Sequence, residues 1–511
     1  MEDVRIIEKL PPKERVELES ISITDNGEYT SERGKAYNSI SVEVSGGGTV
    51  VEFNDVNFYD YDGTTLYSYT KNDFLALTEM PDNPIHEGLT SQGWNWNLTD
   101  AKLYVQSHGM LSVGQSYITD DQSTRLYIYL KEGRTSPQLG FKLLGTTEVD
   151  WGDGSAVVSV TNNTMKRVNL SHTYSTPGYY VISIMPESSA ELNFNGYGSN
   201  ATYVIVKDAA NGTTYDKIYA SSMYKVELGR CITIDTYAFC NCYSLESITI
   251  PDYITNIGLG AFYCCYSLKH ITFSKDVTTV GNQVMQNCMS LKSVALPNSL
   301  TTISTAMFRE CKSLDYIIIP DSVTSIDNSA LRECDSLKVA SISNMATSIG
   351  DSCFYMDFSL YSVSMPNNLL TLVGSAFSTC YTLPNIIIPA STTSIAGYTF
   401  GSNYGLGYIR FEGITPAQVA ASTAWGLTTD CILYVPFASL ADYLTATNYP
   451  STSSYTYIGF ATYTSGDTLP TQDSTQAYNV TWYATKDDAI AQTNPITQGN
   501  GEEVYCRYVA V

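Results

Sequence analysis

A chain of 511 residues exceeds what one hydrophobic core can organise, so several structural units are expected. Only 15% of the residues are charged, and 51 acidic against 28 basic side chains give a net charge of −23, which excludes an extended electrostatic footprint for nucleic acid. The 40 tyrosines, set among abundant Ser, Thr, Asn and Gly, are typical of β-rich extracellular modules and binding surfaces, with helices in the minority.

The opening MEDVRIIEKLPPKERVELES is charged and broken by Pro11 and Pro12, so it is not expected to act as a secretory leader. No apolar run is long enough to predict membrane insertion, and the final EEVYCRYVAV predicts no lipid anchor. Residues 1–49 read as a β-rich docking segment with Gly46–Gly48 as a hinge. Residues 50–122 read as a small α/β module. There FNDVNFYDYDGTTLYSYT alternates about a hairpin turn at Asp62-Gly63, and helical patterns follow around Asn72–Glu79 and Thr99–Ser107. Residues 123–208 predict a β-sandwich that opens with the strand TRLYIYL. Trp151 is its core anchor, Asp153-Gly154 a tight turn, and Pro177-Gly178 leads into the strand Tyr179–Ile184. Asp150 and Asp153 are better read as turn residues than as calcium ligands.

Residues 209–460 are governed by a period of 23. Leu245, Leu268, Leu291, Leu314, Leu337, Leu360, Leu383 and Leu406 succeed one another at that step, as do Phe239, Phe262, Met285, Phe308, Leu331, Phe354, Phe377 and Phe400. Ile234, Ile257, Val280, Ile303, Ile326, Ile349, Leu372 and Ile395 form a third apolar ladder. Each unit approximates SLxxIxIPxxxTxIxxxAFxxC: a short alternating strand, a proline that ends it, and a return segment. A single unit cannot bury its own apolar face, but stacked units share one continuous core, which predicts a solenoid. A further ladder of Cys242, Cys265, Cys288, Cys311, Cys334 and Cys380 is interrupted by Asp357. Small buried side chains explain it better than metal ligation or cross-coil disulfides, because no CxxC pair occurs. Residues 461–511 predict a small β module.

The fold class that emerges is mainly β and multidomain: a leucine-rich-repeat solenoid, an immunoglobulin-like sandwich, and small β-rich or α/β terminal modules. The repeat over residues 226–458, with CILYVPFASLADYL as its closing coil, resembles the BspA-like class of leucine-rich repeats, found in bacterial surface proteins, some protist proteins and gene products of gut phages. VDWGDGS followed by SHTYSTPGYYVISI resembles the signature of PKD-type domains. The amino-terminal segments and the last fifty residues are similar to tail-associated proteins of gut phages.

No paired carboxylates, Ser-His-Asp set, Cys-His pair or phosphate loop has a convincing context, so neither catalysis nor a cofactor or metal is expected. Strand alternation turns Leu245, Ile248 and Ile250 inward and leaves a small, nearly uncharged outward face. Adding 23 gives its register, which includes His270, Tyr316, Tyr408 and Arg410 as candidate ligand contacts. A second row holds Tyr243, Tyr266, Phe358 and Tyr381, which either stack on sugar rings or pack on one another. The resemblances imply a virion-surface adhesion protein. Its amino-terminal region would dock on other virion proteins, its solenoid would bind host-surface or mucosal glycans or proteins, and it would form a trimer by analogy with phage fibres. A bacterial cell-surface adhesin is the alternative, and a secreted glycan-active enzyme a third reading.

Overall fold

The computed structural model describes residues 55–194, 206–208, 222–230, 233–419, 425, 427, 430–450, 455–463, 465, 467–472, 478–499 and 501–510. The expected docking segment 1–49 and its glycine hinge lie outside these residues.

The first module is a four-stranded sheet with two helices. Strands β1 (Val56–Tyr59) and β2 (Thr65–Tyr69) form the expected hairpin, and β4 (Leu111–Thr119) runs parallel to β1 and antiparallel to β3 (Leu89–Trp94). Helix α1 spans Lys71–Ala76 and α2 Leu98–His108. Asn97 caps α2 by accepting a hydrogen bond from the Asp100 amide at 2.9 Å, and Gly109, at φ 85°, ends it in the left-handed conformation that a side chain disfavours. Phe58, Phe74, Trp94 and Val105 fill the core of this module, together with Ile318 from the solenoid. The module therefore does not close its core alone.

Strands β5 (Thr124–Leu130), β6 (Pro137–Asp150), β7 (Val158–Ser171), β8 (Gly178–Pro186) and β9 (Glu191–Phe194) build the next layer. Trp151 is buried, stacks on His172 at 4.9 Å, and accepts at its carbonyl from the Tyr174 hydroxyl at 2.8 Å. Asp150 accepts from the Gly152 amide and Asp153 from the Ser155 amide, which is turn chemistry. The hydrogen bonds from Ser155 and His172 hold the Asp153 carboxyl down at about 2. This layer continues directly into the solenoid. Met223–Glu227 pairs antiparallel with β5 and parallel with Ser247–Ile248, and β9 pairs with Thr233–Ile234. The strands β5–β9 form one continuous sheet with the first coils and thereby cover the strand edge that the first coil would otherwise expose.

The solenoid carries two ladders of short parallel strands. One face includes His270–Thr272, Ser293–Ala295, Tyr316–Ile318, Val339–Ser341, Ser362–Ser364, Asn385–Ile388 and Tyr408–Phe411. Pairing advances by 23 residues, as in His270↔Ser293, Tyr316↔Val339, Val339↔Ser362 and Asn385↔Tyr408. The other face pairs Asn256–Ile257 with Thr279–Val280, then Thr302–Ile303 through Ser394–Ile395. The Leu, Phe and Ile ladders lie inside, with Phe239 and Phe262 stacked at 5.6 Å and Phe354 and Phe377 at 5.1 Å. Each coil turns two corners through left-handed residues, one row running Tyr237, Gly260, Gln283, Ala306 and the other Asn241, Cys264, Asn287, Glu310. Cys264 is thus a corner residue beside the cysteine ladder.

The ladder cysteines are buried, and those of the described residues are free thiols. From Cys265 onward each donates to the carbonyl 26 residues earlier, as in Cys265 to Phe239 at 3.2 Å, Cys311 to Met285 at 3.3 Å and Cys380 to Phe354 at 3.0 Å. Beyond Tyr408–Phe411 the face continues through Ile432–Pro436 and Thr456–Thr462 into the antiparallel strands Glu503–Ala510 and Tyr478–Tyr483. Helix α3 (Leu440–Thr445) and helix α4 (Lys486–Ala491) accompany this carboxy-terminal end.

Candidate recognition surface

The outward face of the solenoid is not open along its length, and four of the expected ligand contacts lie against other modules of the chain. The α/β module lies across the coils between Asp252 and Asn344. Asn95 donates to the carbonyls of Phe273 and Ala295 at 3.1 and 3.2 Å, and the Trp96 indole N–H donates to Leu296 at 2.8 Å. The Tyr104 hydroxyl donates to Ile319 at 3.0 Å, and His108 lies 3.3 Å from Asp321 and 3.0 Å from Asn344. A Cβ at Gly114 would overlap Thr272 and Ala295, and one at Gly63 would overlap His270. Only glycine permits so close an approach of the two backbones.

His270 is accordingly wholly buried. Its ring lies 5.0 Å from that of Tyr59, with Nδ1 2.7 Å from Ser293 Oγ and Nε2 3.0 Å from Thr272 Oγ1. Burial pushes its pKa down to about 4, so it is neutral at physiological pH. The Tyr316 hydroxyl shares a short hydrogen bond with Tyr59 inside the same interface. At the other end, Tyr408 packs edge-on against Tyr434 at 5.4 Å beneath the Lys486 ammonium. Arg410 forms a fork with Glu503 at 2.8 and 2.5 Å, pairs with Glu412 at 2.7 Å, and lies 3.7 Å from the Phe460 ring centroid. It joins the terminal strands to the solenoid and is not a free cation.

The aromatic row remains accessible, but its rings face one another. Tyr243 and Tyr266 stack at 4.8 Å and 18°, Phe358 and Tyr381 at 5.4 Å and 20°, and Tyr381 and Tyr404 at 5.8 Å and 23°. Such stacking occupies ring faces and presents ring edges and hydroxyls outward. Of the two expectations for this row, mutual packing describes the geometry. Tyr404 was not anticipated as its continuation; it is 67% exposed, the most open member, and the step of 23 from Tyr381 was the available signal. Tyr361, 50% exposed, was also missed. Its signal was a row in which Glu246, Lys269, Lys292, Asp315 and Lys338 give way to Tyr361.

Among the described residues no cluster of His, Cys, Asp or Glu is arranged to hold a metal, and no helix is long and apolar enough to cross a membrane.

Residues 217–338 and 278–407 match the family described as BspA type leucine rich repeat region, in six copies. None of the curated proteins compared matches the chain. Solved structures similar to it include a leucine-rich repeat protein from Bacteroides ovatus (22% identity over 44% of this chain and 75% of that one, TM-score 0.22). A leucine-rich repeat protein of T. pallidum is 24% identical over 38% of this chain and 83% of that one, with a TM-score of 0.30. A leucine rich cell surface protein from Faecalibacterium prausnitzii is 18% identical over 52% and 90%, with a TM-score of 0.22. The coil period, the parallel register and the family match together identify residues 217–407 as an array of BspA-type leucine-rich repeats.

Proposed function

We propose that the chain is an adhesion protein displayed at a microbial surface, recognising an external partner without catalysing a reaction. The observation that supports this best is the match of its repeats to the BspA type, a family of surface proteins. The accessible surface agrees with that reading, since it presents aromatic edges, hydroxyls and amides. The bacterial cell surface is the placement we favour. The virion placement expected from the terminal segments gains no support from the comparisons, and docking through residues 1–49 concerns residues outside those described. Saturable binding of the purified full chain to intact bacterial or epithelial cells, or to immobilised mucin, is the expected result. A folded chain that binds none of these surfaces contradicts adhesion.

A further inference from the structure

From Val339 to Ile409, about three coils, the only charged side chains are Asp351 and Asp357, and Asp357 is wholly buried. The coils before this stretch are laced by cross-coil ion pairs, Lys269 with Glu246 at 2.6 Å, Lys312 with Asp335 at 3.0 Å and Lys338 with Asp315 at 2.9 Å. Two separate rows change character at the same coil. Lys312 and Asp335 are succeeded by Phe358, Tyr381 and Tyr404, while Asp315 and Lys338 are succeeded by Tyr361. In a chain of net charge −23, so long an uncharged exposed surface needs a reason.

The same coils form the uncovered part of the sheet. The α/β module reaches as far as the strand Val339–Ser341, whose Ser341 is buried, and the carboxy-terminal strands cover the face from Tyr408 and Arg410 onward. Between them the strands Ser362–Ser364 and Asn385–Ile388 remain accessible, with Ile387 42% exposed. Three strand steps separate the two covered strands, about 14 Å at about 4.8 Å per step. Phe358, Tyr361, Tyr381 and Tyr404 border this strip where the chain enters the strands.

We propose that this strip is a recognition site for an uncharged polysaccharide, a proposal that rests on the adhesion reading above. Hydroxyls, amides and aromatic edges complement a ligand that offers hydroxyls and C–H faces and carries no charge. A polyanionic glycan finds no cation here and meets a repelling field. A typical protein surface, about a quarter of it charged, would leave its charges desolvated against a floor with no counter-charges.

Binding of the full chain to immobilised dextran, mannan, hyaluronan and heparin tests this, beside a parallel cell-binding assay. The variants are Tyr361→Ala with Tyr404→Ala, Ser362→Asp, and the control Tyr179→Ala, an exposed aromatic outside the solenoid, each checked for folding by circular dichroism. The expected result is saturable binding to at least one of the two neutral polymers. A loss of about tenfold or more in the first two variants, and little change in the control, completes it. Cell binding without binding to either neutral polymer overturns the ligand class. Cell binding that the first two variants leave unchanged overturns the site, and in both cases adhesion stands. Absence of binding to polymers and cells alike overturns both readings.

Discussion

Asp357 interrupts the cysteine ladder, and its surroundings dictate which form it takes. Asn403, at an equivalent place two coils later, accepts from the Cys380 amide at 2.6 Å through Oδ1 and donates from Nδ2 to the Phe377 carbonyl at 2.6 Å. Asp357 accepts from the Cys334 amide at 2.8 Å in the same way, but its Oδ2 is buried without a partner. Protonation of that oxygen removes the uncompensated buried charge. Burial accordingly raises the Asp357 pKa well above the usual carboxylate value. A carboxyl raised in the folded state contributes its full stability below its unfolded pKa and loses it as pH rises toward the folded pKa. Asp357→Asn keeps the acceptor for the Cys334 amide and, like Asn403, is uncharged at every pH. It is expected to raise the unfolding free energy at pH 7, read from chemical denaturation, by about 1–3 kcal/mol, the ordinary penalty of an unsatisfied buried polar group. The gain should vanish when denaturation is repeated near pH 3.

The docked α/β module depends on a few close approaches between β4, the β1–β2 hairpin and the strands at His270 and Ser293. Gly114→Val forces a side chain into Thr272 and Ala295. It is expected to weaken docking by about 1–3 kcal/mol or more, read as faster proteolytic release of the module while the solenoid's circular dichroism persists. His270 makes the same interface sensitive to pH. Its depressed pKa means that the unfolded chain binds more protons between about pH 6.5 and about 4, so stability is complete above that window and lost as pH falls through it. The shift corresponds to roughly 3 kcal/mol. His270→Gln should flatten the fall in denaturation midpoint from pH 7 to pH 4, and an unchanged slope contradicts this account. The covering of this face was hard to read in advance, because strand alternation states which side chains leave the core and not what they meet. Its trace was the smallness of Ser247, Thr249, Thr272, Ser293 and Ala295 on successive coils, beside glycines at 63 and 114.

Across the whole molecule, the period of 23 made the solenoid legible, since every ladder residue meets its own counterpart in the next coil and one register serves all of them. The same rule explains why the candidate site was legible only in part. Tyr243, Tyr266, Phe358 and Tyr381 follow the period and form the accessible row, whereas the fates of His270, Tyr316, Tyr408 and Arg410 were decided by modules outside the repeat. A sheet of antiparallel strands covers one end of the array, an α/β module shields its first coils, and terminal strands extend the other end, leaving an uncharged strip between. Recognition through such a strip has a direct signature in salt. Association between charged surfaces weakens as ions screen it, while neutral polar and apolar contact does not. The decisive measurement is the affinity of the full chain for its bound cell or mucin surface at low and at high ionic strength. The account predicts a dissociation constant that changes less than about threefold between roughly 0.05 and 0.5 M salt; a steep loss of affinity over that range would contradict it and move recognition to the charged coils.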